Sequence, residues 1–139
     1  MPRKGEMRIG LPVEAWPEID RRLLDMALAE GDLLDGCRAA AHWAAETRRT
    51  VTYAYGRWLR FLGRSGGLDS VLSPVDRATP EAVASYIAEL RSDYADHTVR
   101  GAICSLHDML AAMQPDRELD WLRGIGNRLQ ARSLRAQPL

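Results

Sequence analysis

The sequence has few cysteines, no long apolar run and no alternation of polar and apolar residues that reaches the length of a strand. Cys37 and Cys104 are too few for a disulfide framework, so we expect free thiols in a reducing, cytoplasmic environment. No apolar run approaches the roughly 18 residues that a transmembrane helix requires. The opening MPRKGEMRIG is basic, but no apolar segment follows it, which argues against a secretory signal.

The sequence also lacks the short motifs of common catalytic sites. It contains no Gly-rich phosphate loop, no nucleophile elbow and no HExxH. Cys37 with His42 and Cys104 with His107 offer four zinc-ligating side chains, but neither spacing matches a known zinc knuckle. A small enzyme that uses these pairs is therefore the weakest hypothesis, and we expect no metal, no cofactor and no small-molecule substrate.

The net charge is zero, but its distribution along the chain is uneven. The 139 residues, 46% hydrophobic and 27% charged, suit one globular domain. Residues 37–64 contain six arginines and one acid, Glu46, and residues 122–139 contain four arginines and no acid. The segments 1–36 and 65–121 are acidic. Two basic segments that alternate with acidic ones indicate an anionic partner or merely solvated arginines, and charge alone favours neither.

Apolar residues recur at helical spacing along nearly the whole chain, which predicts an all-α fold, a compact bundle of four to five helices. Thr79 is a good N-cap, and Pro80 fits the first turn that follows it. RSGGLDSVLSPVDRA is predicted to be a loop, and GCRAAAHWAA is ambiguous between helix and loop. The five predicted helices begin near Pro17, Glu46, Thr79, Asp96 and Pro115.

The second helix, ETRRTVTYAYGRWLRFLGR, has two faces when its residues are placed at 100° intervals. One face is apolar and is predicted to be core. The other is a wedge about 80° wide that holds most of the arginines, and Glu46 could neutralise Arg49 there. The simpler interpretation is a solvated face, but the planar donor fork of arginine and the lack of alternating acids favour contact with nucleic acid. The wedge contains Arg49, Tyr53, Arg57, Arg60 and Arg64.

The fourth helix divides in the same way. Its apolar stripe is Val99, Ile103, Leu106, Leu110 and Met113. The opposite face begins with small and polar residues near the helix N-terminus, where backbone N–H groups and the helix dipole favour a phosphate. Taken alone, an ordinary solvent face explains this pattern better. That face holds His97, Arg100, Gly101, Cys104, Ser105 and Asp108.

The order of these helices resembles the core-binding (N-terminal, SAM-like) domain of the tyrosine recombinases, the phage integrase family. The similarity covers about residues 44–132 and rests on ETRRTVTYAYGRWLRFL, TPEAVASYIAEL and DHTVRGAICSLHDML, followed by a proline and a basic helix. It implies an N-terminal helix and connecting segment at 1–43, the core-binding domain at 44–132 and a linker at 133–139. It also implies that the bundle forms half of a clamp around duplex DNA during site-specific integration.

The resemblance implies which residues contact DNA: the openings of the second and fourth helices and the basic end of the chain. Gly101 stands where the family often has a polar side chain that reaches the bases. With Arg57 and Arg60 from the basic wedge, the expected DNA-contacting set is Thr47, Arg48, Arg49, Thr50, Arg57, Arg60, His97, Thr98, Arg100, Gly101, Ser105, Arg123 and Arg128.

In this family a second domain carries the catalytic residues, and it would begin about where QARSLRAQPL stands. None of Tyr53, Tyr55, Tyr86 and Tyr94 sits in the context of the family's nucleophile. We therefore expect a DNA-binding protein rather than an enzyme. Its partners would be double-stranded DNA and either a catalytic domain or further copies of itself on DNA. We expect no membrane partner. The alternative is a helical protein-interaction module, in which the acidic first helix or the tail docks a partner chain and the arginines are solvated.

Overall fold

The protein is described by a computed structural model, which covers residues 10–29 and 43–136, with side chains up to Arg132. These ranges contain one 3-10 turn, Val13–Ala15, and no strand. The all-α bundle that the sequence predicts is confirmed. Its helices are α1 Glu18–Leu28, α2 Ala45–Ser65, α3 Pro74–Arg77, α4 Pro80–Asp93, α5 Asp96–Met113 and α6 Asp120–Ala136.

The helix ends follow local sequence. The Thr79 hydroxyl accepts a hydrogen bond from the Ala82 N–H at 3.1 Å, so the predicted N-cap of α4 is confirmed. Gly66 follows the last residue of α2 and caps the helix, since its φ of 81° is a left-handed conformation that glycine adopts without steric cost. The short helix α3 lies inside the segment that the sequence predicts to be a loop. That expectation was wrong because four residues are too few for helical periodicity to show.

Helix α5 lies at the centre of the bundle and packs against α1, α2, α3, α4 and α6. Its predicted apolar stripe is confirmed, since all five side chains are buried. The predicted core face of α2 is also buried, and its Trp58 packs edge-on against Tyr86 with ring centroids 5.2 Å apart. The rotation of α2 about its axis is therefore fixed by its contact with α4 and α5.

A buried ion pair joins three helices. Arg77 of α3 donates two hydrogen bonds to the Asp20 carboxylate of α1, at 3.0 and 2.6 Å, and both side chains are inaccessible to solvent. The Tyr55 hydroxyl of α2 donates to the same carboxylate, and Arg77 Nε donates to the Asp69 carbonyl at 2.9 Å. Burial, and then the negative charge of Asp20, raise the pKa of Tyr55 well above 10.0 and keep it a donor.

The N-terminal segment, residues 10–17, crosses α2 at a glycine. The Leu11 N–H donates to the Gly56 carbonyl at 3.0 Å, and the Trp16 indole N–H donates to the Leu11 carbonyl at 2.8 Å. A Cβ at Gly56 would lie 2.4 Å from the Leu11 carbonyl oxygen, which is too close for two unbonded atoms. The absence of a side chain at Gly56 therefore allows the segment to pack on the helix.

Replacement of Gly56 by alanine should destabilise the protein by about 1–3 kcal/mol, because the added methyl group overlaps a backbone oxygen. Gly101→Ala is the matched control in another helix, since a Cβ there meets nothing within 4 Å. It should stabilise the protein by up to about 1 kcal/mol through helix propensity. Urea denaturation gives both free energies of unfolding. Equal effects at the two glycines would contradict the close approach at Gly56.

Replacement of Arg77 by methionine should lower the free energy of unfolding by about 3–5 kcal/mol, because it leaves the Asp20 carboxylate buried and unpaired. The double variant Asp20→Leu, Arg77→Met should recover much of that loss, since no buried charge remains. Arg117→Met, which removes an exposed ion pair with Asp76, should change stability little. Additive losses in the double variant would show that the two charges do not interact.

Candidate nucleic-acid interface

The opening of α2 holds four residues of the expected DNA-contacting set. Thr47, Arg49 and Thr50 are exposed, and Arg48 is half-buried. The N-cap residue, Ala44, makes no side-chain capping bond. The positive end of the helix dipole lies beside the two arginines at this end of the bundle, and Glu46 in the first turn offsets part of that positive charge.

The arginines divide according to whether a carboxylate lies within 4.0 Å. Within the described ranges, all seven arginines of the expected DNA-contacting set lack such a partner. Among the other described arginines, only Arg21 lacks one. Glu46 does not pair with Arg49, although the sequence allowed it. The positive charge of these seven guanidinium groups is thus not neutralised by an ion pair within the described ranges. The arginines that do have a carboxylate partner are Arg22, Arg64, Arg77, Arg91, Arg117 and Arg132.

One arginine of the wedge is neutralised from another helix. Arg64 donates to both carboxylate oxygens of Glu89 on α4, at 3.0 and 2.9 Å. The wedge on α2 contains no acid of its own beyond Glu46, so the sequence of the helix alone did not show this pair. The basic surface of α2 is therefore smaller than the sequence suggested and excludes its last turn.

Arg57 connects α2 to the opening of α5. Its guanidinium carbon lies 5.0 Å from the centroid of the Tyr94 ring, a cation–π arrangement. Tyr94 is the residue that follows α4 and stands two positions before α5. The structure thus brings the middle of α2 beside the start of α5, the two elements that the sequence singled out. Nothing in the sequence pattern had indicated Tyr94.

Two of the unpaired arginines also carry a desolvated N–H group. The Nε atoms of Arg48 and Arg60 are buried and have no acceptor among the described residues. A buried donor that lacks an acceptor costs about 1–3 kcal/mol. The Trp58 indole N–H in the core shares this property, so the cost arises from the packing of α2 and does not by itself indicate a ligand.

The opening of α5 is open to solvent at Gly101 and His97. His97 is exposed, Thr98, Arg100 and Ser105 are half-buried, and a Cβ at Gly101 would meet no atom within 4 Å. A phosphate could therefore approach the helix backbone closely at this point.

A negative charge stands at the same helix end. Asp96 is the first residue of α5, and its carboxylate lies 3.9 Å from both Arg91 of α4 and Arg132 of α6. The phosphate site expected at this terminus did not take the negative charge of Asp96 into account. The Asp96 carboxylate already lies at the positive end of the helix dipole and would repel a second anion. The two arginines must offset this negative charge before the helix end can attract a phosphate.

Helix α6 covers part of the face that the sequence assigned to solvent or DNA. A Cβ at Gly126 would lie 3.4 Å from the Cys104 sulfur, so the two helices approach closely at these small residues. Arg100 Nη1 lies 4.0 Å from the same sulfur. Cys104 therefore faces α6, while His97 in the first turn of α5 and Asp108 farther along the same face remain exposed.

The arginines of α6 do not form one patch. Arg123 is exposed and lines a groove between α5 and α6, together with Cys104. Arg128 is exposed and lines a different groove between α4 and α6, beside Ile87 and Arg91. The two arginines of the expected set thus lie on opposite sides of α6, and a single flat DNA surface cannot contact both equally.

The structure offers little support for a metal site. In the described parts of the chain, no three His, Cys, Asp or Glu side chains lie close enough to hold a metal ion. The His107 ring nitrogen Nδ1 lies 3.2 Å from an Asp108 carboxylate oxygen. Cys37 and His42, the other half of the zinc hypothesis, lie outside the described residues.

Comparisons with protein-family models, with curated proteins and with solved structures find no match for this chain. Of the helices within 10–29 and 43–136, none combines the length and apolar character needed to cross a bilayer.

Proposed function

We propose that this chain is a DNA-binding core-binding domain of a tyrosine-recombinase-like integrase and that it grips duplex DNA in site-specific recombination. The observation that carries the proposal is the distribution of ion pairs. In the described ranges, the seven expected DNA-contacting arginines lack a carboxylate, whereas six of the other seven arginines have one. Arginine without an internal partner is suited to bidentate contact with phosphate.

The contact of Arg57 with Tyr94 supports a shared binding surface on α2 and α5. In the proposed complex, Arg49, Arg57 and Arg60 bind phosphates and set the orientation of the domain on DNA. The exposed side chains of Thr50 and His97 lie at the openings of the two helices and supply a limited number of base contacts.

A specific observation favours a second function, that of a protein-interaction module. A groove of about 500 Å³ between α4 and α6 has Ile87, Ile125 and Leu129 in its walls and Arg91 and Arg128 beside them. Apolar walls with basic neighbours suit an acidic amphipathic helix of a partner protein. Under this alternative, the arginines of α2 are solvated and DNA is not bound.

The first test is fluorescence anisotropy of a labelled duplex of about 30 bp at several salt concentrations. Neutralisation of about four phosphates predicts a slope of log K against log salt near −3.6. The triple variant Arg49→Gln, Arg57→Gln, Arg60→Gln should reduce the slope to about −0.9, because three contacts are lost.

The matched control for this test is Arg21→Gln, Arg22→Gln, Arg117→Gln, which removes the same charge from exposed arginines outside the expected set. Its slope should stay near −3.6. Equal losses in the two triple variants would mean that binding follows net charge and not the α2 surface. A wild-type protein that binds no DNA even at low salt would refute the proposal and leave the interaction module.

Replacement of Gly101 by lysine should strengthen DNA binding and steepen the salt slope by about 0.9, because it adds one phosphate contact at an open position of α5. Gly63→Lys is the control, since Gly63 is an exposed helical glycine near the other end of α2. It should leave the slope unchanged. The same anisotropy titration measures both variants, and an equal gain at Gly63 would argue against a DNA-binding role for the opening of α5.

A further inference from the structure

An open groove of about 590 Å³ lies between the N-terminal segment, α1 and the first turns of α2. Its walls are mainly apolar and include Leu11 and Val13 on one side and Leu24 and Leu28 on the other. Tyr53, whose side chain is 52% exposed, lines the groove on α2. This size and this lining are typical of sites for small organic molecules.

The groove has a marked positive charge. Arg48 and Arg49 both line it, and no acid is found among its described lining residues. Neither arginine has a carboxylate partner in the described ranges, and the Arg48 Nε group is buried without an acceptor. The site therefore combines apolar walls with two arginines that have no carboxylate partner in the described ranges.

We propose that this groove binds a small amphiphilic carboxylate, a molecule with an acyl or aryl body and one carboxylate group. The apolar body packs against Leu11, Val13 and Leu28, and the carboxylate accepts hydrogen bonds from Arg48. The two arginines and the lack of an acid among the described lining residues supply the charge complementarity, and the walls supply the hydrophobic contact.

The chemistry of the groove favours a carboxylate over two related ligands. A neutral alkyl compound would leave the two lining guanidinium groups, Arg48 and Arg49, without an anionic partner. A phosphate monoester carries close to two negative charges at neutral pH, and its desolvation beside Leu24 and Leu28 costs more than that of a single carboxylate. A singly charged headgroup on an apolar body supplies an anion for the arginines at a lower desolvation cost.

Binding in the groove does not require that the protein bind DNA. Arg48 and Arg49 belong to the expected DNA-contacting set, however, so on the proposed function the amphiphile and DNA would compete for them. The ligand would then act as a negative effector of DNA binding. Direct binding and competition are measured separately, so that one can fail without the other.

The experiment titrates decanoate and 1-decanol, each below its aggregation concentration, into the full-length ¹⁵N-labelled protein. We expect decanoate to shift the backbone amide resonances of Leu11, Val13, Leu28 and Thr52, which line the groove. Decanol should bind at least tenfold more weakly, because it cannot supply a charged acceptor. Decanol that binds as tightly as decanoate would overturn the role of the carboxylate.

Two variants test the site itself. Arg48→Met keeps the aliphatic stem and should weaken decanoate binding about tenfold to hundredfold, with no effect on decanol. Arg117→Met, at an exposed arginine outside both the groove and the expected DNA-contacting set, should leave both unchanged. Ala45→Trp should block both ligands by filling the groove. Shifts that map elsewhere, or no shifts because another part of the chain fills the groove, would overturn the proposal.

DNA anisotropy with decanoate present tests the competition. Decanoate should weaken the binding of DNA to the wild-type protein and have less effect on Arg48→Met. An unchanged DNA affinity at saturating decanoate would overturn the effector role. Absence of DNA binding without decanoate would instead refute the proposed function and leave the groove proposal to stand on the amide shifts.

Discussion

The buried ion pair between Asp20 and Arg77 holds the bundle in one arrangement. Removing two charges from water costs several kcal/mol for each, and their attraction offsets this only where the remaining hydrogen bonds are made. Here they are made, because Tyr55 donates to the carboxylate and Arg77 Nε donates to the Asp69 carbonyl. A shift of α1 along the bundle would separate these groups and leave buried charge. The pair thus specifies where α1 lies, and with it the N-terminal segment that crosses Gly56.

The candidate surface depends on the same network through the rotation of α2. Tyr55 and Trp58 are fully buried on one side of this helix, so Arg49, Arg57 and Arg60 must lie toward the other side. One residue corresponds to about 100° of rotation, and a rotation of that size would bury guanidinium groups and expose the rings. The packing of two aromatic side chains therefore orients the arginines that we propose to bind phosphate.

Helical periodicity was enough to predict the fold because each of the five longer helices buries a stripe of residues along one side. The stripe of α5 and the core face of α2 were both found this way. The buried ion pair and the pair that neutralises Arg64 were not found this way, because each joins residues that are distant along the chain. Asp20 and Arg77 are 57 residues apart, and Arg64 and Glu89 are 25 apart. Which arginines remain unpaired depends on the three-dimensional arrangement of acids, and a helical wheel contains no information about neighbouring helices.

A net charge of zero does not argue against binding of a polyanion here, because the described carboxylates that pair with an arginine all pair with arginines outside the expected DNA-contacting set. Every α-helix of the described ranges has an acid in its first turn, where the carboxylate is stabilised by the helix dipole. The arginines of α2 lie instead along the flank of the helix. Glu46 is the one acid of α2, and it forms no ion pair with Arg49, three residues along the helix. The flank of α2 that holds Arg49, Arg57 and Arg60 therefore carries an excess of positive charge from its own residues, although the chain as a whole is neutral.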